Sequence, residues 1–213
     1  YRLLASGCAP SNCSAASGDQ SFTTSVTAIP VEGESVAIAP VSGKVLVRAR
    51  GRKRFVRLVS GELIPVGSTV NARHGHVLIE SAVAAQPQQV ASGIFYGGIF
   101  RVAQPAGPTT LLRLASDLAR CPRSRRRHAQ LAAARKPRRS HKVVNEVFGD
   151  AHGQYTTRGH YAAAADEGTS WLTADRCDGT YVAVSAGQVD VTDLVRHVTF
   201  PLAAGRHYLA SPR

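Results

Sequence analysis

The sequence predicts an all-β protein, an antiparallel β-sandwich or roll of short strands separated by glycines and interrupted by a basic, partly helical insertion. Three observations carry this. From Gly43 onward the words VLVRA, FVRLV, ELIPV, STVNA and HVLIE recur at intervals of roughly ten residues, with Gly51, Gly61, Gly67 and Gly75 between them. In YVAVSAGQVDVTD, Val182 and Val184 share one face and Val189 and Val191 share one face, with Ser185-Ala186-Gly187 between, which reads as a hairpin with one buried side. Helix is plausible in only two segments, LLRLASDLAR (111–120) and RRHAQLAAARK (126–136), the second bracketed by Pro122 and Pro137.

In chain order, residues 1–40 form an N-terminal arm and residues 41–213 the main β domain, with the basic insertion at 115–145. Residues 1–20 are small and polar, too poor in apolar side chains to bury much, and read as an exposed leader pinned by a local disulfide. LLASGC (3–8) faintly resembles a lipoprotein cleavage site, but Ala5 fits it poorly and no lipid is assigned. Asn12-Cys13-Ser14 is formally a glycosylation sequon and is expected to carry nothing. Residues 21–40 carry Phe22, Val26, Ile29, Val31, Val36 and Ile38 in two β-prone pieces, broken by Pro30 and a Glu32-Gly33-Glu34 turn. A strand holding proline belongs at a sheet edge. These six residues are therefore the candidate assembly strand, able to add to a neighbour's sheet. GIFYGGIFRVA (93–103) and TTLLRL (109–114) precede the insertion; GQYTTRGHY, GTSWLTA, VTFPLAAG and HYLA continue the strand-and-turn pattern after it.

At 213 residues the chain needs only one main core. The net charge of +12 comes from 26 basic and 14 acidic residues, and the stretch CPRSRRRHAQLAAARKPRRSHK (121–142) holds nine of the basic ones and no acid. The rest carries only +3, so basicity reads as local. No run of 18 apolar residues is present to span a membrane as a helix. The chain starts at Tyr1 and lacks methionine, which is expected of a mature or excised form. Cys8, Cys13, Cys121 and Cys177 contain no C-x-x-C pair, so a disulfide framework is preferred to zinc or redox sites. Of three connectivities, Cys8 with Cys13 and Cys121 with Cys177 is favoured. Loop entropy gives the long bridge about 4 kcal/mol and the short one about 2 kcal/mol. Such bonds place the protein in an oxidising compartment; four reduced thiols in a cytosolic protein is the competing reading.

The words GKVLVRARGRKRFVRL, GELIPVGSTVNARHGHVLIE and EGTSWLTADRCDGTYVAVSAGQVDVTDLVRHVTFPLAAGRHYLA resemble the FecR-like domain, the extracytoplasmic part of ferric-citrate-type signalling regulators. Gly168-Thr169, Thr180 to Val191 and Ala204-Gly205 stand at that family's later motifs, and the resemblance covers roughly residues 41–211. GTSWLTADRCDGT is closer to a variant found in large secreted bacterial proteins. That variant tends to pair the cysteine before the D-G-T turn with one upstream, which here implies Cys177 with Cys121. Unlike the signalling regulators, this sequence shows no transmembrane helix and no cytoplasmic segment before the domain, so a complete sigma-factor regulator is not what the resemblance implies.

Catalytic signatures such as G-x-S-x-G, the phosphate-binding G-x-x-x-x-G-K-[ST], G-x-G-x-x-G and H-E-x-x-H do not occur, and no catalytic residue or cofactor is assigned. The sharpest metal candidates are His74 and His76, since H-x-H on a strand aims both imidazoles at one face. Surface histidines flanking a turn glycine are the preferred reading. Asp175 and Asp178 lack the calcium-loop ligand series, and Asp178-Gly179 reads as turn chemistry. Trp171, with Thr169 beside it, reads as core rather than as a sugar platform.

Arg123, Arg125, Arg126, Arg127, Arg135, Lys136, Arg138 and Arg139 are the candidate polyanion or subunit contacts. A solvated crossover ranks first for them, an anchor to an anionic wall polymer or to a neighbouring subunit second. Nucleic acid ranks last, because no aromatic residue lies between Cys121 and Lys142 to stack on bases. The functional expectation is a non-catalytic, secreted bacterial cell-surface module. It acts as a structural or interaction subunit and self-assembles into oligomers or filaments through its arm, or binds other surface proteins. The alternative is an extracytoplasmic sensory or ligand-binding module.

Overall fold

The computed structural model describes residues 29–83, 86–105, 109–122, 140–166 and 169–212. In chain order the strands are β1 (Ser35–Arg48), β2 (Val56–Arg57), β3 (Glu62–Pro65), β4 (Thr69–Val83), β5 (Gln86–Tyr96), β6 (Ile99–Ala103) and β7 (Thr110–Leu114). After a single 3-10 turn at Leu118–Arg120 come β8 (Val143–His152), β9 (Tyr155–Arg158), β10 (Ala162–Asp166), β11 (Thr169–Arg176), β12 (Gly179–Ala186), β13 (Gln188–Asp193), β14 (Val198–Ala203) and β15 (His207–Ala210). They form one mixed sheet of 15 strands that nearly closes into a barrel.

Strand β4 is the spine. One of its edges pairs with β1 from Thr69 to Glu80, and the other takes β6 at Thr69–Asn71 and β5 at His76–Val83. Two wings grow from that second edge: β6-β7-β9-β10-β13-β14 and β5-β8-β11-β12-β15. Pairing is antiparallel except between β7 and β9, which run parallel because the chain leaves for β8 in the other wing and returns. The all-β expectation holds, and the antiparallel one is amended at this single pair.

Residue choice explains the wings. Phe100 and Val102 in β6, Leu112 and Leu114 in β7, Val182 and Val184 in β12, and Val189 and Val191 in β13 alternate at period two and are all buried. Where the wings face each other, Phe95 sits edge-on to Phe100 and Trp171, each 6.2 Å away, and 5.1 Å from Tyr155. The Trp171 indole N–H donates to Thr157 Oγ1 at 2.7 Å, and Thr157 and Thr173 share a 2.7 Å hydroxyl contact. Trp171 is thus a core residue with its one polar atom satisfied.

Several expectations are corrected. Residues 181–193 form no hairpin: β12 pairs with β11 and β15, β13 with β10 and β14, and Gly187, at φ 72°, turns the chain from one wing to the other. STVNA and HVLIE are one continuous strand, and Gly75 is mid-strand rather than in a turn. It lies opposite Gly43, and a Cβ on Gly75 would fall 2.6 Å from the Ser42 carbonyl oxygen, so the pair permits close backbone contact at a bulge. The helix expected at 111–120 is strand β7 followed by the 3-10 turn, because Leu112 and Leu114 find a partner in β6. The helix expected at 126–136 lies outside the described residues.

The boundary at residue 40 falls inside β1. Val36 and Ile38 are buried in the core, with β3 on one edge of their strand and β4 on the other, so they are not part of a detachable assembly strand. Ile29 and Val31 are exposed, whereas Phe22 and Val26 lie outside the described residues.

Gly149 in β8 lies under the aromatic cluster, and a Cβ there would sit 2.9 Å from the Trp171 ring and 3.0 Å from Phe95. Gly149→Ala is expected to destabilise the fold by about 2 kcal/mol through overpacking. A lowered urea midpoint, followed through the emission of the single tryptophan, checks this.

Candidate functional site

Among the described residues three carboxylates, Asp175, Asp178 and Asp193, are buried, and each is occupied by a turn. Asp175 Oδ1 accepts from the His160 backbone N–H at 2.9 Å and from Thr180 Oγ1 at 2.5 Å, while its Oδ2 meets His160 Nδ1 at 2.9 Å. Asp178 forms a forked pair with Arg176 at 2.9 and 2.7 Å. His141 Nδ1 stands 2.6 Å from Asp178 Oδ2 and also 2.6 Å from the Arg176 guanidinium. Burial pushes the Asp178 carboxyl up, but the Arg176 and His141 hydrogen bonds outweigh it and hold the group below the usual carboxylate range.

Asp193 closes the β13–β14 turn. Its Oδ1 accepts the Val195 and Arg196 backbone N–H groups at 2.8 Å, and its Oδ2 accepts from Tyr208 at 2.6 Å and the Arg196 guanidinium at 2.8 Å. Burial again pushes the carboxyl up, and these four bonds, Tyr208 foremost, bring it down to about 2. The turn is thereby tied to β15, which carries Tyr208.

Cys121 is bonded to Cys177, 56 positions later, with Cα atoms 5.4 Å apart. The Cys177 N–H donates to the Lys142 carbonyl at 3.0 Å, so both flanks of the basic insertion reach the β11–β12 turn. Cys8 and Cys13 lie outside the described residues, as do Arg123, Arg125, Arg126, Arg127, Arg135, Lys136, Arg138 and Arg139.

His74 and His76 flank the mid-strand Gly75. His76 Nδ1 is 2.9 Å from Ser42 Oγ, and its ring lies 4.3 Å from Tyr96, which stacks on Phe148. His76 is thus engaged by its neighbours. Among the described residues no group of three or more His, Cys, Asp or Glu side chains is placed to hold a metal ion, and no helix among them is long and apolar enough to cross a membrane.

The outer face carries what sequence reasoning missed. A concavity of about 390 Å³ is lined by Arg48, Arg50, Arg52, Arg101 and Arg113 together with Gly67 and Thr69, and by no acidic residue. Cross-strand register builds it: Arg48 of β1 lies opposite Thr69 of β4, Thr69 opposite Arg101 of β6, Arg101 opposite Arg113 of β7, and Arg113 beside Arg158 of β9. Arg48 is oriented by Thr69 Oγ1, 3.4 Å away, and by the Phe55 ring beneath it; the Arg101 Nε–H donates to the Gly67 carbonyl at 3.0 Å. Gly67, at φ 95°, leaves the room: a Cβ there would stand 3.2 Å from Arg50 and 3.3 Å from Arg101. A second groove of about 570 Å³ shares Ala49 and Arg52 with the first. Val47, Val56, Leu63 and Ile64 line it, with Lys53, Arg54 and Glu62. The one signal in the sequence was VRARGRKR (47–54), dense in arginine yet outside the main basic run.

Compared with known proteins, the chain matches no family model, and no curated protein and no solved structure is significantly similar to it. What fold and surface define is a class: a disulfide-bonded, all-β protein built on one nearly closed sheet, whose buried acids serve its turns and whose outer face is arginine-rich.

Asp193 is expected to stabilise the fold above the pH range of an unfolded carboxyl, near 4, and to lose that contribution as pH falls toward 2. Asp193→Asn is expected to cost about 2 kcal/mol at neutral pH. The gap between the two urea midpoints should close in acid, which unfolding curves from pH 7 to pH 2 measure. Replacing Cys121 and Cys177 by serine is expected to cost about 4 kcal/mol by loop entropy, read from midpoints of the oxidised protein and the variant.

Proposed function

We propose that the chain is a non-catalytic, secreted β-module that acts by contact, as a structural or interaction subunit at a bacterial cell surface. The observation that carries this reading is the continuity of the arginine-lined concavity with the apolar groove, which gives one outer face both charge and exposed apolar area, Val56 and Leu63 included. The Cys121–Cys177 bond fits an oxidising compartment. The FecR-like resemblance of residues 41–211 points the same way, because such domains are extracytoplasmic. Asp175, Asp178 and Asp193 hold turns, which commits the buried acids to structure.

In this reading self-assembly draws on the apolar groove and on the exposed Ile29 and Val31 rather than on Val36 and Ile38. Light scattering coupled to size exclusion at 50 and 500 mM salt, both of them chosen conditions spanning roughly threefold in screening length, tests it. Oligomers that persist at high salt are expected of the apolar groove, and oligomers that dissociate are expected of the basic surface. A monomer at both salts, across all accessible concentrations, overturns self-assembly and favours the sensory alternative.

A further inference from the structure

We infer that the arginine row Arg48–Arg101–Arg113–Arg158 is a binding track for a linear phosphate polymer that carries no bases. The inference deepens the contact-module reading by naming a partner, and it rests on that reading. The track crosses five neighbouring strands, β1, β4, β6, β7 and β9, at four steps of about 4.8 Å, so it runs roughly 19 Å across the sheet. Arg101, Arg113 and Arg158 are direct lateral neighbours, and like charges in that relation destabilise a sheet. Among the described residues none of the four forms an ion pair with a carboxylate, and the Arg158 Nε is buried with no hydrogen-bond partner. An anion laid along the row offsets the mutual repulsion of these guanidinium groups.

Spacing and chemistry select the polymer. Arg101, Arg113 and Arg158 stand one strand apart and ask for negative charges about every 4.8 Å, with Arg48 two strands from Arg101 across Thr69, whereas an extended acidic peptide presents same-face carboxylates only about every 6.6 Å. A phosphate chain is dense enough, and guanidinium forks grip tetrahedral oxoanions with two bonds. A single-stranded nucleic acid draws much of its affinity from aromatic platforms on which its bases stack. The Phe55 ring, which lies against this row, is covered by Arg48, and no aromatic residue lines the concavity.

The test uses the full chain with fluorescent long-chain inorganic polyphosphate, poly-L-glutamate and single-stranded oligo-dT as separate probes, read by anisotropy across a salt series. Polyphosphate is expected to bind tightest, and Arg101→Gln with Arg113→Gln is expected to weaken it at least tenfold and to lower the log–log salt slope by about 1.5. A matched variant, Arg126→Gln with Arg138→Gln, alters the insertion instead and is expected to lose less than threefold. Equal losses in both variants, equal affinity for poly-L-glutamate, or tighter binding of oligo-dT each overturn the inference. Unfolding midpoints of both variants keep a folding defect, such as loss of the Arg101 bond to the Gly67 carbonyl, apart from a binding one. Failure here with salt-resistant oligomers intact rejects the track and leaves the contact-module reading standing.

Discussion

The aromatic contact between the two wings is the constraint on which the rest depends. Phe95 in one wing meets Tyr155 from the other, and the Trp171 indole crosses to Thr157. The Tyr155 hydroxyl in turn lies 2.7 Å from the Ile79 carbonyl of the spine strand β4 and 2.9 Å from the Ala91 carbonyl of β5, which begins the opposite wing. This fixes how closely the wings approach and which faces turn inward. Once Phe100, Leu112 and Leu114 point in, period two obliges Arg101 and Arg113 to point out. The charged face is therefore the reverse side of the core.

Polar groups inside the fold follow a second rule. Among the described residues each buried carboxylate serves a chain reversal, its own or a neighbour's, and takes backbone N–H groups or a cation. Buried charge is tolerated where it replaces missing ladder bonds. Asp193 shows the extent of it: one side chain closes its own turn and holds the last strand through Tyr208.

The strands were legible because valine and glycine alternate so regularly in this sequence, and Val182, Val184, Val189 and Val191 are all buried as their spacing implies. Connectivity was less legible. Gly187 looks like a hairpin glycine, but its strands part because β15 and β14 offer each a different partner. Gly75 looks like a turn for the same reason: local sequence carries no record of Gly43 across the ladder. Leu111 to Arg120 favours helix locally, and pairing with β6 overrides it. The arginine row was the hardest feature to see. Its members stand far apart in sequence, and only register aligns them, whereas the contiguous run at 121–142 drew attention to itself.

Both flanks of that run converge on one turn: Cys121 is bonded to Cys177, the Lys142 carbonyl accepts from the same residue, and His141 meets Asp178. The β11–β12 turn therefore works as a socket. The strands on either side of the run, β7 and β8, keep their ladder partners within their own wings. Two covalently and hydrogen-bonded ends at one turn fix the span the segment has to cover, whatever its length. Loop entropy is then paid once, at the Cys121–Cys177 bond, and not by the strands on either side.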